Sequence, residues 1–424
     1  MKWGIAAVWV VTGLRLVIAA RLGLAADEAY YWTWSEALGI SYFDHPAGVA
    51  WLIRAGTTVL GDSELGVRAG GLVLQGVALS ALLWHERRRH TLLLCLAVPG
   101  VVLPSVLATP DAGLLAFWVL SIVAAERGRW VLAGLLAGAA LWFKLSGVLL
   151  VVALVLAEPR SRRAWMSAGL AMLLAAPSLA GHVLFQLDHG LGRGDGGLGP
   201  LLEFLGAQVF FLGVFVPVSA AFWIARGPRD RWWWSAVLTL CVFGGASLLS
   251  RGEGNWGLPF CMAAVVGASR TNGVARNFAE WGGAIGLLLS AVVLVHACFS
   301  VLPLQKDPVD QLRMGEVVGE SAGAWGLEPV LCERYQEAAW VRFYGGVDAT
   351  TVPGAGRQSQ FDLWRDGLPE RSVVLRPSRS GDTWPTDGLY AERSGSHDIV
   401  ARHGERVIGT WQVAVVEGYD SEPR

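Results

Sequence analysis

"RWVLAGLLAGAALWFKLSGVLLVVALVLA", residues 129–157, opens on Arg129 and holds one internal charge, Lys144, between two apolar runs. As one helix it would flip every later span and mix the basic loops with the others. As two spans it turns at Lys144, which brings Arg127 and Arg129 to the same face as Arg160, Arg162 and Arg163. Basic residues collect on the cytoplasmic face of membrane proteins, so two spans are expected here.

The rest of the chain fits that reading. It has 424 residues, a mean hydropathy of +0.44, 53% hydrophobic residues and 16% charged ones. Apolar runs recur near 3–20, 65–84, 91–107, 111–125, 129–142, 145–157, 165–186, 201–225, 232–250, 255–269 and 282–302. With these eleven spans, one face receives Lys2, Arg87 to Arg89, Arg127, Arg129, Arg160, Arg162, Arg163, Arg226, Arg229, Arg231, Arg270 and Arg276. The opposite loops receive only Arg21, Arg54, Lys144, Arg193 and Arg251. Fourteen cations against five predict a cytoplasmic N-terminus in a plasma (inner) membrane. Residues 3–20 read as an uncleaved first span, not a cleaved signal, because many spans follow.

Residues 46–60 are apolar but carry Arg54, which is costly in lipid, so an interfacial helix is expected there. The Trp232–Trp234 triplet suits an interfacial belt. The glycines at 192, 194, 196, 197 and 199 predict a flexible loop, without the strand–helix context of a phosphate loop. Beyond 302 the apolar runs stop, and residues 303–424 carry 13 Lys+Arg against 19 Asp+Glu. "EPVLCER" and "RSVVLRP" read as strands and "YQEAAWVRFYGG" as a helix. "HDIVARHGERVIGTWQVAVVEG" reads as a hairpin turning near Gly404. The expected architecture is a mostly α, polytopic membrane domain over 1–302 and a small extracytoplasmic α/β domain over 303–424.

Five scattered cysteines give neither a disulfide framework nor a metal spacing, and no basic nucleic-acid motif occurs. The outer face instead collects Asp27, Glu28, Asp44, His45, Asp111, Lys144, Arg251, Glu253 and Asn255 from separate loops. Ionisable groups in such apolar surroundings need partners, water or a function. Paired acids suit general-base work or stabilisation of an oxocarbenium ion, and a lysine with an arginine suits a phosphate leaving group. Plain alternatives stand beside these: Asp111 as a helix cap, Lys144 as a snorkelling cation, Arg251 and Glu253 as a local pair. His182, His189 and His296 read as span-end or packing residues.

These residues resemble a known group. "DEAYYWTWSEALGISYFDHPAGVAW", from Asp27, is similar to the first outer loop of the GT-C glycosyltransferases that use polyprenyl-phosphate sugars. That group includes the lipid A aminoarabinose transferases, the lipopolysaccharide galacturonosyltransferases and the protein O-mannosyltransferases. "SVLATPDAGLLAFWVL", "LAGLLAGAALWFKLSGVLLV", "GNWGLPF", "RYQEAAWVRFYGG" and "GRQSQFDLW" resemble further segments of it. The sequence departs at His45-Pro46-Ala47, where two prolines are more common, and at Asp44-His45, which replaces the Glu-Lys of the aminoarabinose branch.

The resemblance implies an inverting transfer from a polyprenyl-phosphate sugar to a lipid or glycan acceptor outside the cytoplasm. Asp27, Glu28 and Asp111 become the catalytic candidates, and Lys144, Arg251 and His45 the donor-phosphate candidates. Asp44, Tyr31, Glu253, Asn255 and Trp256 become the cavity candidates. A divalent metal at Asp44 stays open. A transporter or flippase for a lipid-linked sugar is the rival reading; it predicts ionisable groups near mid-membrane and repeated halves. A receptor sensing through its tail leaves the membrane acids unexplained.

Overall fold

The computed structural model describes residues 2–102, 106–189, 196–213, 215–305, 307–381 and 383–419. The stretch 129–157 is two helices, Trp130–Leu141 and Val148–Ala157, joined by a 3₁₀ turn over Leu145–Gly147. Lys144 is extended there, with φ −157° and ψ 140°, so the helix cannot run through it. Gly134 and Gly138 let Trp130–Leu141 lie against Arg162–His189. A Cβ on Gly134 would stand 2.6 Å from the Ser167 carbonyl oxygen, and one on Gly138 would stand 3.0 Å from that of Ala171. Backbones approach this closely only where a side chain is missing.

Each of the other expected spans contains at least one helix, but the lengths divide them. Among the described residues five helices are long and apolar enough to cross a membrane: Lys2–Ala19, Glu64–Glu86, Arg162–Leu184, Arg231–Leu249 and Val274–Phe299. A sixth span results if Leu198–Leu212 and Val216–Arg226, set at 104° to each other, are counted together. The remaining helices, Arg89–Ala97, Pro99–Val102, Pro110–Glu126, Trp130–Leu141, Val148–Ala157 and Leu258–Ser269, are shorter. Twelve residues, as in Leu258–Ser269, cover only about 18 Å. Every residue of that helix is buried in protein, whereas a third of the Val274–Phe299 span is. A helix sheathed by other helices is not matched to lipid thickness, which explains why hydropathy alone overstates its reach.

The apolar segment at 46–60 is the helix Gly48–Leu60, and its Arg54 pairs with Glu36 at 2.7 Å. The Trp232–Trp234 triplet opens Arg231–Leu249, where the Asp230 carboxylate accepts from the Trp233 backbone N–H at 2.9 Å and caps the helix. Residues 192 and 194 of the glycine-rich loop, with Arg193 and the ring of His189, lie outside the described residues.

The chain forms two compact units. One comprises residues 1–19, 40–52 and 68–301, and its named elements among the described residues are all helices. Its core runs through Trp118, Ile122, Leu150, Leu154, Val265 and Val266. The other comprises residues 20–39, 53–67 and 302–424. It holds a five-stranded sheet: β1 (Val330–Cys332), β2 (Ala349–Thr351), β3 (Arg371–Pro377), β4 (Tyr390–His403) and β5 (Arg406–Tyr419). The strand order is β2-β1-β3-β5-β4. β1 runs parallel to β2 and β3, with Leu331 opposite both Thr350 and Val374; β5 runs antiparallel to β3 and β4. The helix Tyr335–Gly345 makes the crossover from β1 to β2. β3 is buried from Ser372 to Pro377, as befits a central strand, and its Val374 packs with Val416 and Trp384. The β4–β5 hairpin turns through Gly404, whose φ of +59° favours glycine.

Candidate functional site

In the helical unit, Thr109-Pro110-Asp111 starts the helix Pro110–Glu126. Proline at the first position has no N–H to leave unpaired, and an acid in the first turn meets the positive end of the helix dipole. Asp111 is nonetheless not a simple cap. It is 3% exposed and faces Lys144, whose Nζ lies 2.8 Å from Oδ1 and 3.1 Å from Oδ2. Asn255 donates its Nδ2 to Asp111 Oδ2 at 3.0 Å. The turn that carries Asn255 is held from behind by Gln208, whose Nε2 donates to the Gly254 carbonyl at 2.8 Å. Three segments far apart in sequence thus converge on one buried carboxyl.

The segment Asp44–Gly48 comes to the same turn. Gly48 donates its N–H to the Trp142 carbonyl at 2.6 Å, and a Cβ on Gly48 would stand 2.7 Å from the Phe143 ring. Asp44 and His45 are half-buried, and the His45 carbonyl accepts from Tyr42 N–H at 3.0 Å. His182 supports this turn from the helix Arg162–His189, its Nδ1 3.3 Å from the Tyr42 carbonyl oxygen. Trp256 packs on Phe243 at 5.4 Å between centroids. Arg251 and Glu253 are exposed; Arg251 lies 3.9 Å from Glu203, and among the described residues it forms no ion pair with Glu253.

In the second unit, Asp27 and Glu28 occupy the first turn of the helix Ala26–Glu36 and diverge. Asp27 is exposed and accepts from the Tyr335 hydroxyl at 2.9 Å. Glu28 is 1% exposed and reaches back to accept the Ala25 N–H at 3.0 Å, closing the helix start where alanine supplies no cap of its own. Tyr31 is buried edge-on against Trp34 at 4.8 Å. Tyr30 accepts from the Gln360 N–H at 2.6 Å and stacks near Tyr335 and Phe361. The guanidinium of Arg357 sits 5.0 Å from the Tyr335 ring centroid. Tyr335 and Arg357 were not singled out as site residues, although both lie in the resembling segments "RYQEAAWVRFYGG" and "GRQSQFDLW".

A third cluster occupies the other end of the helical unit. Arg270 reaches Glu86 through Nε at 3.2 Å and through Nη2, and Asp230 through Nη1 at 2.6 Å. His85 Nε2 lies 2.7 Å from Glu126. Burial pushes the Asp230 carboxyl up, against the pull of the Trp233 N–H and Arg270. His85, Glu86 and Glu126 bring their ligand atoms within 4.8 Å of one another, but Arg270 already neutralises the acids. Among the described residues Asp44 belongs to no such group.

Comparison with known proteins now has a geometry to rest on. Residues 44–183 match the dolichyl-phosphate-mannose-protein mannosyltransferase family. The chain is 32% identical over 106 residues to the lipid A galacturonosyltransferase RgtD of Rhizobium johnstonii, 23% of this chain. The resemblance to the GT-C glycosyltransferases holds. The RgtD match spans 22% of that relative's length. The chain shares its fold with ArnT from Cupriavidus metallidurans, with TM-scores of 0.62 for the apo structure and 0.63 for the complex with undecaprenyl phosphate. Each comparison covers 97% of both chains at 15% identity, so it speaks for fold alone. Asp44, His45, Asp111 and Lys144 fall inside the family match; Asp27, Glu28, Arg251 and Asn255 fall outside it.

Proposed function

We propose that this chain is an integral membrane glycosyltransferase that moves one sugar, with inversion, from a polyprenyl-phosphate donor to an extracytoplasmic acceptor. The acceptor is a lipid or a surface glycan. Eleven membrane segments, a cytoplasmic N-terminus and an extracytoplasmic 303–424 region complete the proposal.

One observation carries it: the buried Asp111–Lys144 pair, with half-buried Asn255 on it, stands at the opposite helix end from the Arg270 cluster. Asp111 is in the first turn of Pro110–Glu126 and Glu126 is its last residue, about 22 Å away along the axis. The basic residues of the sequence gather at the Glu126 end, in Arg127, Arg129, Arg231 and Arg270. Polar chemistry concentrated at helix ends, away from mid-membrane, favours transfer at one face over transport through the membrane.

In this reading the acceptor oxygen attacks the anomeric carbon, the bond from that carbon to the phosphate oxygen breaks, and polyprenyl phosphate leaves. Asp27 takes the acceptor's proton or offsets charge growing at the sugar. Glu28 holds the helix start that presents Asp27. Asp111 fixes Lys144, which offers a phosphate its third N–H. His45 and Arg251 are proposed as further phosphate contacts, and Tyr31, Asp44, Glu253, Asn255 and Trp256 as substrate contacts.

Mass spectrometry of envelope glycolipids from a strain lacking this chain tests the reading. Loss of one sugar mass from a glycolipid, with its polyprenyl-phosphate donor accumulating, is the expected result. An unchanged glycolipid spectrum in that strain overturns it.

A further inference from the structure

The Arg270 end of the helical unit also contains a cavity of about 830 Å³ that the transfer reaction does not use. Its wall includes Arg88, Arg226 and Arg270 together with Phe222, Trp223 and Val274, and no acidic side chain lines it. The three cations are not equivalent. Arg270 is committed to Glu86 and Asp230. Arg88 and Arg226 are exposed and make no ion pair among the described residues. Arg226 is steadied by lying 5.3 Å over the Phe222 ring, which positions its charge without cancelling it.

We propose that this cavity binds the phosphate head group of an anionic phospholipid, with Arg88 and Arg226 gripping the phosphate. Two unpaired guanidinium groups converging on one space call for an anion with several acceptor oxygens. The size and lining then decide which anion. A free phosphate ion would fill only a small part of a space in the range that accommodates drug-sized ligands. It would also leave Phe222, Trp223 and Val274 unmatched. A glycerophospholipid supplies both parts, a phosphate for the arginines and a glycerol–acyl junction for the apolar wall. The cavity lies among the ends of apolar helices, where basic pockets meet lipid head groups.

The test uses the purified full-length protein in detergent, titrated with phosphatidylglycerol or phosphatidylcholine of the same acyl chains and followed by native mass spectrometry. Phosphatidylglycerol should be retained in preference to phosphatidylcholine. The Arg88→Gln, Arg226→Gln double variant should weaken that retention about 25-fold, roughly fivefold for each arginine near an anionic head group. Each single variant should show about half of the effect on a logarithmic scale, which keeps the test open if the double variant does not fold. Arg162→Gln with Arg163→Gln, exposed cations absent from the cavity wall, should leave retention unchanged. Equal retention of both lipids, no loss in the cavity variants, or an equal loss in the control pair would each overturn the proposal. Displacement of the lipid by equimolar inorganic phosphate would overturn it in favour of a simple anion site.

Discussion

Lys144 and Asp111 are 33 positions apart, and the lysine contacts both oxygens of the carboxyl, at 2.8 and 3.1 Å. Both are nearly buried, so neither charge has water to fall back on. Removing one partner of a buried pair typically costs about 3–5 kcal/mol, because the other charge is left uncompensated. Asp111→Asn and Lys144→Met should each lower the unfolding temperature sharply, and the double variant should lose much less than their sum. Denaturation of the purified single and double variants closes this cycle. Additive losses would mean that the two residues do not act as a pair.

Phosphate binding by the same lysine predicts a second, separable effect. Lys144→Ala and Arg251→Ala should each weaken donor binding by about 1.5–3 kcal/mol, the worth of a hydrogen bond to a charged group. Arg251 is the cleaner test, since it is exposed and its ion pair among the described residues is a 3.9 Å contact with Glu203. Unchanged donor affinity in both variants would leave Lys144 a structural partner of Asp111.

Topology rests on the alternation of basic ends. A reporter active only outside the cytoplasm should be silent when fused after Arg163 and active when fused after Arg193. The turn at Lys144 is the pivot of this expectation, because a single helix over 129–157 would exchange the two outcomes. Activity after Arg163 would refute the eleven-segment arrangement.

The sequence announced that turn because one lysine between apolar runs cannot lie unnoticed in lipid. It also announced β3 and the β4–β5 hairpin, where alternation, strand-forming residues and Gly404 act locally. What stayed hidden is non-local. Nothing near Lys144 in sequence names Asp111 as its partner, and Tyr335 stands 308 positions from Asp27. Helix length was hidden for a different reason. Hydropathy records that a side chain is apolar, not whether lipid or another helix covers it, so nothing in the sequence told that Leu258–Ser269 is a short helix buried along all twelve residues.

Glu337 gives the second unit a pH dependence. It is 1% exposed, and burial raises its carboxyl above the usual range, against the opposing pull of Arg334 and the Trp411 N–H. Its Oε1 accepts from Arg334 at 2.9 Å and Trp411 at 3.2 Å, while Oε2 has no hydrogen-bond partner among the described residues. A carboxyl with a raised folded-state pKa favours folding fully below its unfolded pKa and loses that contribution as pH rises through the folded value. Glu337→Gln stays neutral, so its melting temperature should gain on the wild type between pH 4.5 and pH 8. Parallel melting curves across that range would show that Glu337 is ionised at no cost.

Asp27 carries the most direct test of catalysis. It stands in the first turn of Ala26–Glu36, exposed, with its Oδ1 2.9 Å from the Tyr335 hydroxyl. That neutral donor helps orient the carboxylate, whereas Asp111 faces an ammonium. A base or an electrostatic stabiliser must be reachable by its substrate, and Asp27 is exposed whereas Asp111 is buried. Asp27→Asn keeps the shape and most of the local packing, and gives up only the fraction of a kcal/mol that an acid gains at a helix N-terminus. It should therefore fold and bind donor while turnover falls about 10²-fold or more. Glu28→Gln retains an oxygen that can accept the Ala25 N–H, so its loss should be smaller. Tyr335→Phe removes the orienting hydroxyl and should fall between the two. Initial rates of sugar transfer by the three purified variants, measured at saturating donor, order these effects. Wild-type turnover in Asp27→Asn would strip the catalytic role from this acid and leave Asp111, despite its lysine, as the carboxyl to examine next.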